Sequence, residues 1–178
     1  MTLISEKYLD AQRHLHAQPR GYGGGGHKWA DHVLEILGGS GPHVETLLDY
    51  GCGQNTLAGA LYCLEIEMAS YDPAVPPYDT IPAPADLVTC TDVLEHIEPE
   101  YLDDVIAHLH LITRWRLFVA IGLQPANKTL PDGRNAHLTI QPIGWWEERL
   151  GSHFTISKRY AHGPKTGVLL LEPKREDY

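Results

Sequence analysis

The chain has 178 residues, 43% hydrophobic and 21% charged, with a formal net charge of -9 at pH 7. That length supports one good hydrophobic core and is short for two. The acidic balance, with a sequence pI ≈ 5.6, argues against non-specific gripping of a nucleic-acid backbone, though not against nucleotides. No apolar run approaches the roughly 18 residues of a bilayer span, and the N-terminus lacks a signal-peptide core, so a soluble, cytoplasmic protein without a membrane partner is expected.

In chain order, Ile4, Tyr8, Ala11 and Leu15 recur at helical spacing, and Ala30, Val33, Leu34 and Leu37 do so again. Two amphipathic helices therefore flank residues 19–27. Between them Arg20, Gly21 and Tyr22 lead into four glycines and then His27 and Lys28. Such a run reads either as a flexible linker or as a lid that orders over a ligand, and ordering costs entropy, so the lid is expected to be mobile when empty. Residues 1–40 form an N-terminal helical cap and residues 41–178 the core of a single domain.

Residues 44–50 are an apolar β-type run that breaks at Gly51, Cys52 and Gly53 and opens a helix carrying Leu57, Ala58, Leu61 and Leu64. A glycine turn between strand and helix lets a ligand approach the backbone and receive the free N–H groups of the helix start. A dinucleotide fingerprint needs a third glycine three residues past the second; here that residue is Thr56. Asp49, two residues before Gly51, suits a cationic group better than a pyrophosphate.

Residues 66–71 read as a second strand ending at Asp72, whose carboxylate can accept two hydroxyl hydrogen bonds at once. The short stretch from there to Ala85 holds Pro73, Pro76, Pro77, Pro82 and Pro84, so a helix, strand and second helix do not fit. Residues 85–90 and 116–123 read as further strands. The loop 124–141 has no period and holds Asn127, Lys128, Asp132, Arg134, Asn135 and His137, with a turn at Pro131, Asp132 and Gly133. A short helix over 144–150 brings Trp145 and Trp146 to the core or a pocket, and 154–160 and 166–172 read as a hairpin. Among eleven histidines, the pairs His14/His16 and His108/His110 diverge on their helices and read as solvated, so no metal site is expected. Cys52, Cys63 and Cys90 lack CxxC spacing and read as small packing residues.

The run Asp49, Tyr50, Gly51, Cys52, Gly53 at a strand end resembles motif I of the class I S-adenosylmethionine-dependent methyltransferases. The run from Thr91 to Ile97, with Asp92, Val93, Leu94, Glu95 and His96 at its centre, resembles the DVLEH segment of many methyltransferases acting on small molecules. The resemblance covers residues 44–123 and is similar to small single-domain members of bacterial or bacteriophage type. Asn55 departs from it, standing where motif I often has a third glycine, although Asn tolerates left-handed geometry.

The resemblance implies an α/β, Rossmann-like sheet of about six mostly parallel strands, with the third strand absent or vestigial and an antiparallel C-terminal hairpin. It implies S-adenosyl-L-methionine as cofactor and S-adenosyl-L-homocysteine as product. Asp49, Gly51, Cys52 and Gly53 would hold the methionine end, Asp72 and Pro73 the ribose, and Cys90, Thr91 and Asp92 the cleft floor. Tyr22 would cover the cofactor and Lys28 lie near its carboxylate. His137 is the first candidate for general base, since an imidazole pKa near 6.5 suits proton removal around neutrality, and Asp92, Glu95 and His96 are second-choice substrate or base residues. Arg134, Asn135 and His96 would bind substrate, Arg134 being suited to a carboxylate or phosphate. Glu95 and His96 also read as a helix-start charge and a packing histidine. Cys90, Thr91, Asp92 and Val93 stand where DNA amino-methyltransferases of this fold carry an Asp/Asn-Pro-Pro-aromatic motif, and no Pro-Cys nucleophile is present there. The implied activity is methyl transfer to an oxygen or nitrogen of a small molecule or nucleotide. The alternatives are a non-catalytic scaffold subunit or transfer of the cofactor's aminocarboxypropyl group.

Overall fold

Along the strand Thr113–Gly122, Leu117, Val119 and Ile121 enter one apolar cluster while Phe118 and Ala120 enter another. This period-two alternation of uniformly apolar residues marks a strand buried on both faces. The structure is a computed structural model that describes residues 2–18 and 22–175. Its strands are β1 (Thr46–Tyr50), β2 (Glu67–Tyr71), β3 (Ala85–Thr91), β4 (Thr113–Gly122), β5 (Phe154–Tyr160) and β6 (Thr166–Pro173). They form one six-stranded sheet in the order β2-β1-β3-β4-β6-β5. The pairs β1/β2, β1/β3 and β3/β4 are parallel, and β6 runs antiparallel between β4 and β5.

The helices are α1 (Glu6–His16), α2 (Ala30–Leu37), α3 (Thr56–Ala60), α4 (Leu102–Ile112) and α5 (Ile143–Leu150). Helices α4 and α5 cover one sheet face, where Leu102, Val105, Ile106, Leu109, Trp146 and Leu150 are buried. Helices α2 and α3, with the 3-10 turn Gly26–Trp29, cover the other through Trp29, Val33, Ile36 and Leu57. The expected sheet, its missing third strand and its terminal hairpin are all present, and residues 73–84 contain neither helix nor strand. Among the described residues no helix is long and apolar enough to cross a membrane.

Three local expectations are corrected. The helix after the glycine turn ends at Ala60 and is capped at Leu61, so Leu64 is not on it; Gly59 in its middle weakens it by about 0.8–1.0 kcal/mol. On α2 the buried stripe is Val33 and Ile36, while Leu34 is exposed, because Trp29 just ahead of the helix is packed in the same cluster and fixes its rotation. Cys63 is exposed rather than packed.

Helix α1 belongs to neither face. Its Tyr8 and Leu15 join Leu130 and Ala136 from the loop after β4 in a separate small cluster. The first helix of the predicted cap thus meets a loop that sequence places far away.

Candidate functional site

The chain runs from β1 outward to β2, then back across to β3 on the other side of β1. Such a switch point opens a crevice beyond the carboxyl ends of the strands. A cavity of ≈ 100 Å³ lies there, lined by Tyr50, Gly51 and Gly53 after β1, Asp72, Pro73 and Ala74 after β2, Val93, His96 and Ile97 after β3, and Tyr8, Gln12, His16 and Tyr22 from the cap.

The glycine turn has the geometry its residues suggest. Gly51 and Gly53 have φ of 76° and 51°, and a Cβ on Gly51 would strike Val93, while one on Gly53 would strike the Gly23 carbonyl. Asn55 also takes left-handed geometry, at φ 56°. The Asp72 carboxylate accepts the Gly53 N–H (3.0 Å) and the Ala74 N–H (2.9 Å). Each oxygen keeps a second lone pair, so the carboxylate can still accept from the two hydroxyls of a ribose diol.

The cap is docked on this turn. Gln54 N–H donates to the Gly23 carbonyl (3.0 Å), the Gln54 amide to the Tyr22 carbonyl (3.0 Å) and Thr56 Oγ1 to the Gly24 carbonyl (3.2 Å). Ser5 caps α1 through the Tyr8 N–H (3.1 Å) and its own hydroxyl donates to Glu98 (2.7 Å). Tyr8 donates to the His96 carbonyl (2.5 Å). Pro19, Arg20 and Gly21 of the expected lid lie outside the described residues. Burial raises the Tyr8 and Tyr22 hydroxyls well above the ordinary range, so both stay neutral.

Beside the cavity stand three groups from two segments. Glu95 and His96 sit in the 3-10 turn Leu94–His96, and His137 comes from the loop after β4. Carbonyl oxygens only accept, so Nδ1–H of His96 donates to Ala136 (2.8 Å) and Nδ1–H of His137 to Gln124 (2.5 Å). Both Nε2 atoms then carry free lone pairs; His137 Nε2 is 4.0 Å from Glu95 Oε1. Glu95 Oε1 accepts the Gly122 N–H (2.6 Å), while its Oε2 is buried without a partner. Burial pushes the Glu95 carboxyl up to about 8. Burial and then His137 push the His96 imidazole down to about 4.

The structure therefore brings together Gly51, Gly53, Asp72, Pro73, Tyr22 and His96 on one cavity wall, with His137 behind His96 at a ring separation of 4.6 Å. Other expected residues are elsewhere. Asp49 is buried against β3, accepting from Thr89 (2.9 Å), because alternate side chains of a strand point to opposite faces and Asp49 faces away from Tyr50, which lines the cavity. Cys52, Cys90 and Thr91 are buried and off the cavity. Lys28 is paired with Asp92 at 2.7 Å, and Trp29 Nε1 donates to the same carboxylate (3.3 Å), so the two expected residues are partners of one another and neither lines the cavity. Arg134 pairs with Asp132 (2.8 Å) within the exposed turn. The Asn135 amide is spent on its own loop, accepting from Ala126 and His137 N–H and donating to the Ala126 carbonyl.

Sequence reasoning missed Gln12 and His16, which follow Tyr8 at four-residue steps and line the cavity, His16 Nε2 lying 3.9 Å from Asp72. The i, i+4, i+8 spacing was the available signal. His108, read as solvated, is buried with Nδ1 3.1 Å from the Tyr50 hydroxyl.

The sequence matches no family model and no curated protein; solved structures do match. 1,6-Didemethyltoxoflavin-N1-methyltransferase of Burkholderia thailandensis, solved with 1,6-didemethyltoxoflavin and S-adenosylhomocysteine bound, is 15% identical, with 98% of this chain and 93% of that one covered at a TM-score of 0.71. An O-methyltransferase family protein from Burkholderia thailandensis is 14% identical over 96% of this chain and 59% of that one, TM-score 0.61. Magnesium protoporphyrin IX methyltransferase of Synechocystis PCC 6803, solved with S-adenosylmethionine bound, is 17% identical over 95% and 92%, TM-score 0.58. The chain thus has the Rossmann-like fold of the class I S-adenosylmethionine-dependent methyltransferases.

Proposed function

We propose that this protein transfers the methyl group of S-adenosylmethionine to an oxygen or nitrogen nucleophile of a small molecule or nucleotide. The observation that carries the reading is the Asp72 carboxylate on the lip of the switch-point cavity, hydrogen-bonded to Gly53 and flanked by Gly51. In that setting Asp72 accepts the ribose hydroxyls, the Cβ-free turn admits the methionine end, and Val93 and Ile97 give apolar walls to a flat base. Bound S-adenosylmethionine supplies a methyl group already activated by its sulfonium. What the chain contributes is mainly alignment of acceptor and donor, an effect worth up to roughly 7–11 kcal/mol. His137 Nε2 presents its lone pair beside the cavity wall and takes the acceptor's proton, and Tyr22 and His96 close the acceptor side.

At ≈ 100 Å³ the cavity is well below the roughly 300–1,000 Å³ of small-molecule pockets. Cofactor entry accordingly displaces part of the cap, where Tyr8, Gln12, His16 and Tyr22 occupy the wall. Calorimetric titration of S-adenosylhomocysteine into wild type and Asp72→Ala tests the reading. Micromolar wild-type binding should weaken by about 1.5–3 kcal/mol, roughly ten- to over a hundredfold. No binding to the wild type would remove the proposal and favour a scaffold.

A further inference from the structure

We propose that Glu95, His96 and His137 form a binding site for one divalent first-row transition-metal ion. One donor atom from each lies within 4.8 Å of the others. Both imidazoles are fixed through Nδ1–H to backbone carbonyls, of Ala136 and Gln124, the way ligand histidines are held so that Nε2 is offered to a metal. The Glu95 side chain is buried, and its Oε2 has no partner. A buried acceptor left this way is destabilising unless something pairs with it.

Two imidazoles with free lone pairs and a buried carboxyl group thus lie together, and a cation would pair with all three. A proton on Glu95 serves less well, because His137 Nε2 is 4.0 Å from Oε1, beyond hydrogen-bond reach. Tetrahedral coordination at bond lengths of about 2.0–2.2 Å sets donors about 3.4 Å apart, so a cluster with donors within 4.8 Å of one another must contract by up to about 1.4 Å. His137 is on a loop without regular structure, which allows this. Gly122 leaves the space: a Cβ there would stand 2.7 Å from both Glu95 Oε1 and His137 Cε1. Two imidazoles with one carboxylate suit zinc, iron or manganese and leave coordination positions open.

The site rests on these three side chains alone, but it deepens the methyl-transfer reading. His96 is part of the cavity wall, so an open position can take the acceptor's oxygen. The ion would then lower that hydroxyl's pKa so that its proton passes to solvent water before methyl transfer, with His137 serving as a ligand in place of a base.

The test uses tag-free, metal-stripped protein titrated with Co²⁺, read by visible ligand-field absorption, and with Zn²⁺ by calorimetry. Wild type and His14→Ala, a histidine outside the cluster, should each bind one equivalent at micromolar affinity or tighter, and Glu95→Gln and His137→Ala should bind more than about tenfold more weakly. No stoichiometric binding by wild type, or binding by His137→Ala as tight as wild type, overturns the inference. Should Glu95→Gln fail to fold, His137→Ala decides, its side chain being on a loop. S-adenosylhomocysteine binding without metal binding ends the metal inference and spares the methyl-transfer reading; the reverse pattern ends the latter alone.

Discussion

The sheet and the cap wall the same cavity by different physical means. The sheet wall is backed by two extensive apolar layers whose strands contribute fully buried Leu47, Leu87, Val88, Phe118 and Leu171. The cap wall is backed by a cluster of four buried residues, Tyr8, Leu15, Leu130 and Ala136, and held mainly by hydrogen bonds from Ser5, Tyr8 and Gln54. Local opening free energies run from near zero to the global value according to buried apolar contact. The glycine turn and Asp72 are therefore as stable as the molecule, whereas the cap opens at lower cost and can admit a ligand.

The contrast is broken most severely from the sheet side. Trp146 on α5 is fully buried against the sheet, and Trp146→Ala should lower global stability by about 3–5 kcal/mol in urea unfolding. Next comes Asp49, whose carboxyl burial pushes up to about 6 against about 3.9 when unfolded. Between those values the folded state holds more protons, so stability falls as pH rises from about 4 to 6, by about 3 kcal/mol. Asp49→Asn should remove that slope; unfolding curves for variant and wild type that run parallel across this range would sink the assignment.

On the cap side the effects should be smaller and local. Leu15→Ala is expected to cost less than about 2 kcal/mol globally, below the usual range for a buried leucine, while α1 amides exchange faster and β4 amides do not. A loss as large as that of Trp146→Ala, with both elements affected, would make the cap part of the main cooperative unit. Smallest is Ser5→Ala, which deletes the N-cap and the hydroxyl bond to Glu98 and should raise α1 exchange by the equivalent of about 1 kcal/mol.

What was legible in the sequence was what neighbouring residues decide. Apolar runs, the Gly51/Gly53 turn and the proline-rich stretch after Asp72 yielded the strands, the missing strand and the hairpin, and strand boundaries moved by only a few residues. Patterns of period two or 3.6 report burial directly, and glycine and proline report local backbone geometry. Less legible was which face a short helix buries, as α2 shows, since Trp29 outside the helix set its rotation.

The sequence by itself determined the sheet, the glycine turn and the acidic lip at Asp72, because each is encoded within a few consecutive residues. Only the tertiary structure decided that Lys28 spends its charge on Asp92, that Asn135 serves its own loop, and that His16 joins the cavity wall. It alone also brought His137 beside Glu95 and His96. Those partnerships depend on where a loop of no regular period comes to rest, and that is set by packing between α1 and residues 124–141 rather than by any repeat along the chain.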